Sequence, residues 1–397
     1  MHTNINFDEI VKVSQLNCPC CHSETDVAFK LPNYPITELY RPASDNSKKT
    51  GFIDQTARYC SNCGHFFLEN ILDPEIIYSK DNYVTSSVSS KGAVDCIDEL
   101  YNFIYSTSVG YKFSESNIID IGGNDSTLLK YFLKDSNKLV NIDPHASSDL
   151  EGIELHNTFF EESDFEEFRY DEPCVYVSSH TFEHLENPAI VLKNLAKIVK
   201  DDDLLFLQFP SIEKLVNHSR YDQICHQHIN LFSLNSVSSL LKEEGLYLEN
   251  YEYDNFHFGT IRLKFTRKKS LEMNYEIMSL QKIKDSYNNF QKFYSNLNNS
   301  IEHIFDGGQG FGAGLMVPTL TYHLPVIDKL DRIIDENPSR VGHKFINLSP
   351  KILGTETYDL DQPILITSIS TKAAARAIFH KLDKKGFKDI CLPVIAT

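Results

Sequence analysis

The sequence predicts a three-part α/β protein. A central Rossmann-like parallel sheet is preceded by a small metal-clipped domain and followed by a second, smaller α/β unit. Three observations carry this expectation. First, apolar runs alternate with amphipathic ones through the middle of the chain: NIIDIG, KLVNIDP, CVYVSSH and DLLFLQFP read as strands, STLLKYFLK and NPAIVLKNLAKIVK as helices. Strands that are apolar at nearly every position, alternating with helices, belong to a parallel sheet covered on both faces. Second, two C-x-x-C pairs stand ahead of that block. Third, a new glycine turn, HIFDGGQGFGAG, opens another strand-helix pattern after it.

The first of the three parts, residues 1–75, takes its character from cysteine. Cys18 and Cys21 form one pair, and Cys60 and Cys63 the other. Each pair puts two thiolates on one tight turn, and two such turns make a tetrahedral zinc site. Gly64 after Cys63 suits the left-handed turn of a zinc knuckle. Disulfides are the alternative, which a cytosolic chain disfavours. A closed four-cysteine site has no open position, so it would build the fold rather than catalyse. Cys20 is read as a bystander. The prolines of FKLPNYPITELYRP give this domain an extended arm.

The second part, residues 76–266, opens with VDCIDELYNFIY, apolar at helical spacing. The strand-helix alternation follows. Residues 267–397 begin with a long polar helix and continue into the second α/β unit, where PILITS and DICLPVI read as strands.

Composition narrows the function classes. The 397 residues are 41% hydrophobic and 23% charged, ordinary values for a folded chain, and the formal net charge is −17. So acidic a balance argues against nucleic acid, whose phosphates call for Lys and Arg in excess. No run of eighteen apolar residues suggests a membrane span, and MHTNINFDEIVKV lacks the basic and apolar regions of a signal peptide. A cytoplasmic protein is expected. No oligomeric state follows, and a monomer is compatible.

Chemistry concentrates where loops leave the carboxyl ends of the predicted strands. In IIDIGGNDSTLLKYF a strand, a glycine turn and a predicted helix follow one another, an arrangement that lets a ligand approach the backbone. Asp143 ends the next strand, 143 − 120 = 23 residues after Asp120. A carboxylate there can accept from ribose hydroxyls. With no G-x-G-x-x-G present, the loop suggests S-adenosylmethionine (SAM) rather than a dinucleotide. A generic α/β turn is the alternative. His180, Glu183 and His184 in SSHTFEHLENP, then His226 and His228 in YDQICHQHINLF, then His257 in NFHFGTIRLKF should converge on the same rim. The H-x-x-E-H spacing is discounted as a zinc motif, because the helix is expected to begin only near Pro188. A neutral imidazole suits proton abstraction near pH 7.

In this order, the cysteine pairs, IGGNDSTLL, FEHLENP, DQICHQH, HFGTIR and the C-terminal α/β unit resemble the three-domain SAM-dependent sugar C-methyltransferases. These act on nucleotide-linked 4-keto-deoxysugars. The resemblance covers nearly the whole chain, and the DQI-H-H loop followed by H-G-R is its most specific part. It implies removal of a proton next to a ketone, formation of an enolate, and attack of that carbon on the SAM methyl group. His228 would be the base, with Gln227, Cys225 and His184 around it. Gln227 stands where the family pattern has Glu, Cys225 where it has Tyr, and Ser126 where it has Gly. Asp120, Gly122, Gly123, Asn124, Asp143 and His180 would hold SAM. Tyr83, Tyr221, His226, His257 and Arg262 would meet the sugar nucleotide, with Arg262, Arg220 and Arg58 as candidates to neutralise its diphosphate. Cys18, Cys21, Cys60 and Cys63 would hold zinc.

The second glycine run, with Gly308, Gly310, Gly312 and Gly314, is weak evidence for NAD. The resemblance makes this unit part of the substrate cleft, and a turn that only permits close packing is an equal alternative. Two further readings stay open: proton chemistry of the epimerase type without a methyl donor, and a non-catalytic sugar-nucleotide binding protein.

Overall fold

The structure is a computed structural model that describes residues 7, 9–73, 91–255, 259–269, 276–368 and 372–393. Its centre is a seven-stranded sheet built from β1 (Asn117–Ile121), β2 (Lys138–Ile142), β3 (Ile153–His156), β4 (Cys174–Ser179), β5 (Leu204–Pro210), β6 (Tyr247–Tyr253) and β7 (Thr260–Thr266). The order across the sheet is β6-β7-β5-β4-β1-β2-β3. The strands from β5 through β3 run parallel, and β6 and β7 pair antiparallel at one edge. Every residue of β1 and β5 is buried, as parallel strands covered on both faces must be. The chain order reverses beside β1, so the loops after β1 and β4 flank a crevice at their carboxyl ends.

Helices α1 (Lys91–Ser106) and α2 (Pro188–Ile198) cover this sheet. The α2 helix starts at Pro188 as expected, because proline at the first helical position loses no hydrogen bond. The helix expected after the glycine turn does not form. The segment makes turns and a short 3-10 helix, Leu129–Phe132. Asn124 (φ 43°) and Ser126 (φ 59°) are both left-handed, which interrupts any helix starting there, while Leu128, Leu129 and Phe132 anchor the turns in the core.

The N-terminal strands Asp26–Pro35, Phe52–Tyr59 and Phe66–Leu68 form a four-stranded sheet completed by Asn230–Leu231, the end of the histidine segment. The proline-bearing arm is thus a sheet strand. Its register slips between Leu31 and Tyr34, around Pro32, which cannot donate to the ladder. The third unit contains β8 (Gln309–Phe311), β9 (Arg332–Ile334), β10 (Lys351–Leu353), β11 (Ile364–Ile366) and β12 (Ile390–Cys391), all parallel in the order β10-β9-β8-β11-β12. The long helix α3 (Leu280–Phe305) buries Tyr287, Phe290 and Tyr294 in a core shared by the N-terminal sheet and the third unit. No helix among the described residues is long and apolar enough to cross a membrane.

Candidate active site

The glycine turn after β1 is shaped by contacts that admit no side chain. A Cβ on Gly122, whose φ is 78°, would lie 1.9 Å from Thr181 Oγ1, and one on Gly123 would lie 2.5 Å from Asn141 Oδ1. Asn141 Nδ2 in turn donates to Asn124 O (3.0 Å) and Ser126 Oγ (2.8 Å), and Ser126 Oγ donates to Ser147 O at 2.7 Å. Asp143, at the end of β2, accepts from the backbone N–H groups of His145 (2.7 Å) and Asn124 (3.3 Å). Each oxygen keeps a lone pair for a further donor, as a ribose diol would need. Burial, with Asp143 and Asp125 nearby, pushes Asp120 up to about 7.

The loop after β4 faces this turn. His180 is left-handed (φ 54°), its Nδ1 lies 3.0 Å from Glu183 Oε1, and burial pushes its ring down to about 4. His184 Nδ1 donates to Gln227 O at 2.8 Å, and the His184 and His228 rings meet edge to face at 5.0 Å between centroids. One ligand atom from each of Glu183, His184 and His228 falls within 4.8 Å of the others.

The histidine segment is held by the N-terminal sheet. His226 is buried, with Nε2 3.1 Å from Tyr34 O and Nδ1 3.3 Å from Gln55 Nε2. It lines the cavity but spends both nitrogens on the fold. Gln227 Oε1 accepts from Thr37 Oγ1 at 3.0 Å. These contacts fix the backbone so that Cys225, Gln227 and His228 face the open space.

That space is one cavity of about 1250 Å³. Its wall includes the expected cofactor residues Asp120, Gly122, Gly123, Asn124, Asp143 and His180. It also includes Cys225, His226, Gln227, His228 and His184, and Gly314, Asp335 and Arg340 from the third unit. Tyr83 and His257 lie outside the described residues. Tyr221 and Arg262 are placed in the interior, away from the wall, against the expectation of substrate contact. Tyr221 is 1% exposed and packs among Phe29, Tyr287 and Phe290. Arg262 is 1% exposed and paired with Asp254. The other two arginines proposed for a diphosphate are also in ion pairs. Arg220 grips Asp222 with two bonds of 2.9 Å, and Arg58 holds Glu69 at 2.6 Å.

Sequence reasoning missed the cations that do reach the cavity. Among the described lysines and arginines these are Lys12, paired with Glu186 at 2.9 Å, and Arg340, 3.6 Å from Asp335. The signal was present in DRIIDENP, whose acid at the strand end marks a ligand-facing loop. The glycine run divides its labour. Gly312 takes φ 97°, a Cβ on Gly310 would lie 2.9 Å from Leu330 Cδ1, and Gly314 faces the cavity with Ser368 close behind it.

The four cysteines converge. Cys18 and Cys63 sulfurs lie 3.6 Å apart, Cys21 and Cys60 sulfurs 3.4 Å apart, and all four fall within 4.8 Å of one another. A tetrahedral zinc with bonds of about 2.3 Å needs sulfurs roughly 3.8 Å apart, so the set fits such an ion. His22 (φ 61°) and Gly64 (φ 79°), each following the second cysteine of its pair, take the left-handed turns of two knuckles. The knuckle braces the active site: His65 Nε2 lies 3.1 Å from Asn230 Oδ1, and Asn230 Nδ2 donates to Leu185 O at 2.7 Å.

Residues 96–251 match the family model described as a methyltransferase domain. The chain is 22% identical over 214 residues to the C-methyltransferase NovU of Streptomyces niveus, covering 51% of this chain and 49% of that protein. It thus spans about half the length of the curated relative it matches. Among solved structures, the complex of the Haloferax volcanii Trm112 methyltransferase activator with a methyltransferase matches at 13% identity and TM-score 0.36. That match covers 45% of this chain and 95% of the other. Magnesium protoporphyrin IX methyltransferase from Synechocystis, solved with bound S-adenosylhomocysteine (SAH), matches at 11% identity and TM-score 0.35, covering 45% and 84%. Scores of that size carry no argument by themselves. The sheet, the loops at its carboxyl edge and the family match agree: residues 96–251 form a methyltransferase domain, in a chain related to the C-methyltransferases.

Proposed function

We propose that this protein transfers a methyl group from SAM to carbon on a nucleotide-linked keto-deoxysugar. One observation carries the reading: the glycine turn after β1 and the histidine segment line the same cavity. When bound, SAM supplies an electrophilic methyl group. Asp143 accepts its ribose hydroxyls, and the Gly122–Asn124 turn lets it approach the backbone. His228 takes the proton from the carbon beside the ketone. The third unit supplies Arg340 and the loop at Gly314 for the nucleotide half of the substrate. Zinc on Cys18, Cys21, Cys60 and Cys63 keeps the histidine segment in register.

Calorimetric titration of zinc-loaded protein with SAM and with SAH comes first, and a saturable micromolar signal is expected. Keto-sugar nucleotides are then screened for the gain of one methyl group by mass spectrometry. His228→Asn is expected to lower turnover by roughly 10²–10⁴-fold with SAM affinity near wild type. Turnover retained in that variant rejects His228 as the base, and no SAM binding by the wild type rejects methyl transfer.

A further inference from the structure

Removing a proton beside a ketone leaves negative charge on the ketone oxygen, and that oxygen needs a donor. The groups around His228 supply it poorly. His184 Nδ1 donates to Gln227 O at 2.8 Å, so in the neutral ring Nε2 carries a lone pair and not a hydrogen. Gln227 directs its amide to Thr37, with Oε1 accepting from Oγ1 at 3.0 Å and Nε2 facing Thr37 O at 3.4 Å. Cys225 offers only a thiol, a weak donor.

The Thr37–Gln227 contact brings the next residue of the N-terminal domain to the same wall. Glu38 lines the cavity together with Cys225, Gln227 and His228. Its backbone is left-handed, φ 68°. Side-chain-bearing residues adopt that conformation at a cost, and such residues cluster at functional sites. We propose that Glu38, in its acid form, is the hydrogen-bond donor to the substrate's enolate oxygen. The inference rests on the methyl-transfer reading with His228 as base.

His228 takes the proton, the C–H pair becomes the C=C bond, and the carbonyl π pair moves to oxygen. Glu38 shares its O–H with that oxygen and keeps its proton. The carbon bonds to the methyl group as the methyl–sulfur pair returns to sulfur. The ketone re-forms, and the proton on His228 passes to water.

Burial pushes Glu38 up to about 7 against the pull of Arg340. The other titratable groups set around it are Tyr40 on its own segment, Cys225 on the histidine segment with Glu183 nearby, and Asp335, which lies 3.6 Å from Arg340. Donation needs the acid form, so the contribution is present below about pH 7 and is lost as pH rises through it.

The test uses the full-length, zinc-loaded protein with SAM and a panel of nucleoside-diphosphate 4-keto-6-deoxyhexoses, the thymidine compound included. Glu38→Ala removes the donor. Glu38→Gln keeps an N–H donor of the same shape that does not titrate. Alanine is expected to lower kcat about 10²–10³-fold, as loss of one such donor does, with SAM affinity by calorimetry near wild type. Glutamine is expected to keep most of kcat and to lose the alkaline fall near pH 7. If Glu38→Gln is as impaired as Glu38→Ala, the carboxyl acts as a proton acceptor and the proposal fails. It fails too if Glu38→Ala keeps both kcat and the pH profile. A wild type that methylates none of the sugars removes the methyl-transfer reading, and this role with it. An active wild type with indifferent Glu38 variants removes this role alone.

Discussion

Arg262 Nε donates to Gln208 Oε1 at 2.9 Å across the β5–β7 pair, and its Nη2 reaches Asp254. Arg262 is among the largest fully buried side chains of the described residues. It therefore ties the antiparallel edge of the sheet to β5. Breaking a buried pair by removing one partner costs about 3–5 kcal/mol, because the other charge is left uncompensated. Arg262→Met is accordingly expected to lower the midpoint of urea unfolding sharply. In whatever fraction folds, KM for the proposed sugar-nucleotide substrate should not change. A raised KM at unchanged stability would return Arg262 to the substrate site.

Ser126 offers a contest of known magnitudes. A non-glycine residue at φ 59° is strained by about 1 kcal/mol relative to glycine. Against that, Ser126 Oγ makes two buried hydrogen bonds, to Ser147 O and from Asn141 Nδ2. Each is worth about 1 kcal/mol, and more when the partner is left unsatisfied. Ser126→Gly should thus destabilise by roughly 1–2 kcal/mol despite relieving the backbone. Thermal unfolding checks this, and a higher Tm for the glycine variant would show that strain outweighs the bonds.

Asp120 sets a pH-dependent cost. Its folded value, raised to about 7, exceeds that of an unfolded aspartate, so it adds stability in acid that is lost as pH rises through the window from about 4 to 7. Asp120→Asn should change the Tm of the unliganded protein little at pH 4 and raise it at pH 8. The difference there is on the order of a few kcal/mol. Equal Tm differences at both pH values would contradict the assignment.

The cysteine knuckle reaches the active site through His65, Asn230 and Leu185, the residue after His184. If the four cysteines hold zinc as proposed, a strong chelator should raise amide exchange across residues 226–231 before it does so in β8–β11. Uniform exchange across both regions would show that the metal site holds up the whole fold rather than this segment.

Much of this architecture was legible because its causes are local. Apolar continuity marked β1, β2, β4 and β5, since a strand buried on both faces has no polar alternation to hide it. Pro188 fixed a helix start by its missing N–H. C-x-x-C spacing set two knuckles, each needing only its own turn. The helix after the glycine loop misled the reading, because left-handed backbone at Asn124 and Ser126 is dictated by Asn141 and Ser147, neither of which is a local neighbour.

The sequence by itself marked the candidate residues: four thiols in paired turns, an acid at a strand end, histidines in loops at the carboxyl edge. The tertiary structure decided which of them face open space. Arg262 and Tyr221 could have reached a substrate from any loop, but packing buried them. Glu38 and Arg340, unremarkable in sequence, entered the cavity because domains more than 300 residues apart meet there. Exposure depends on long-range packing, and a linear pattern records only the local share of it.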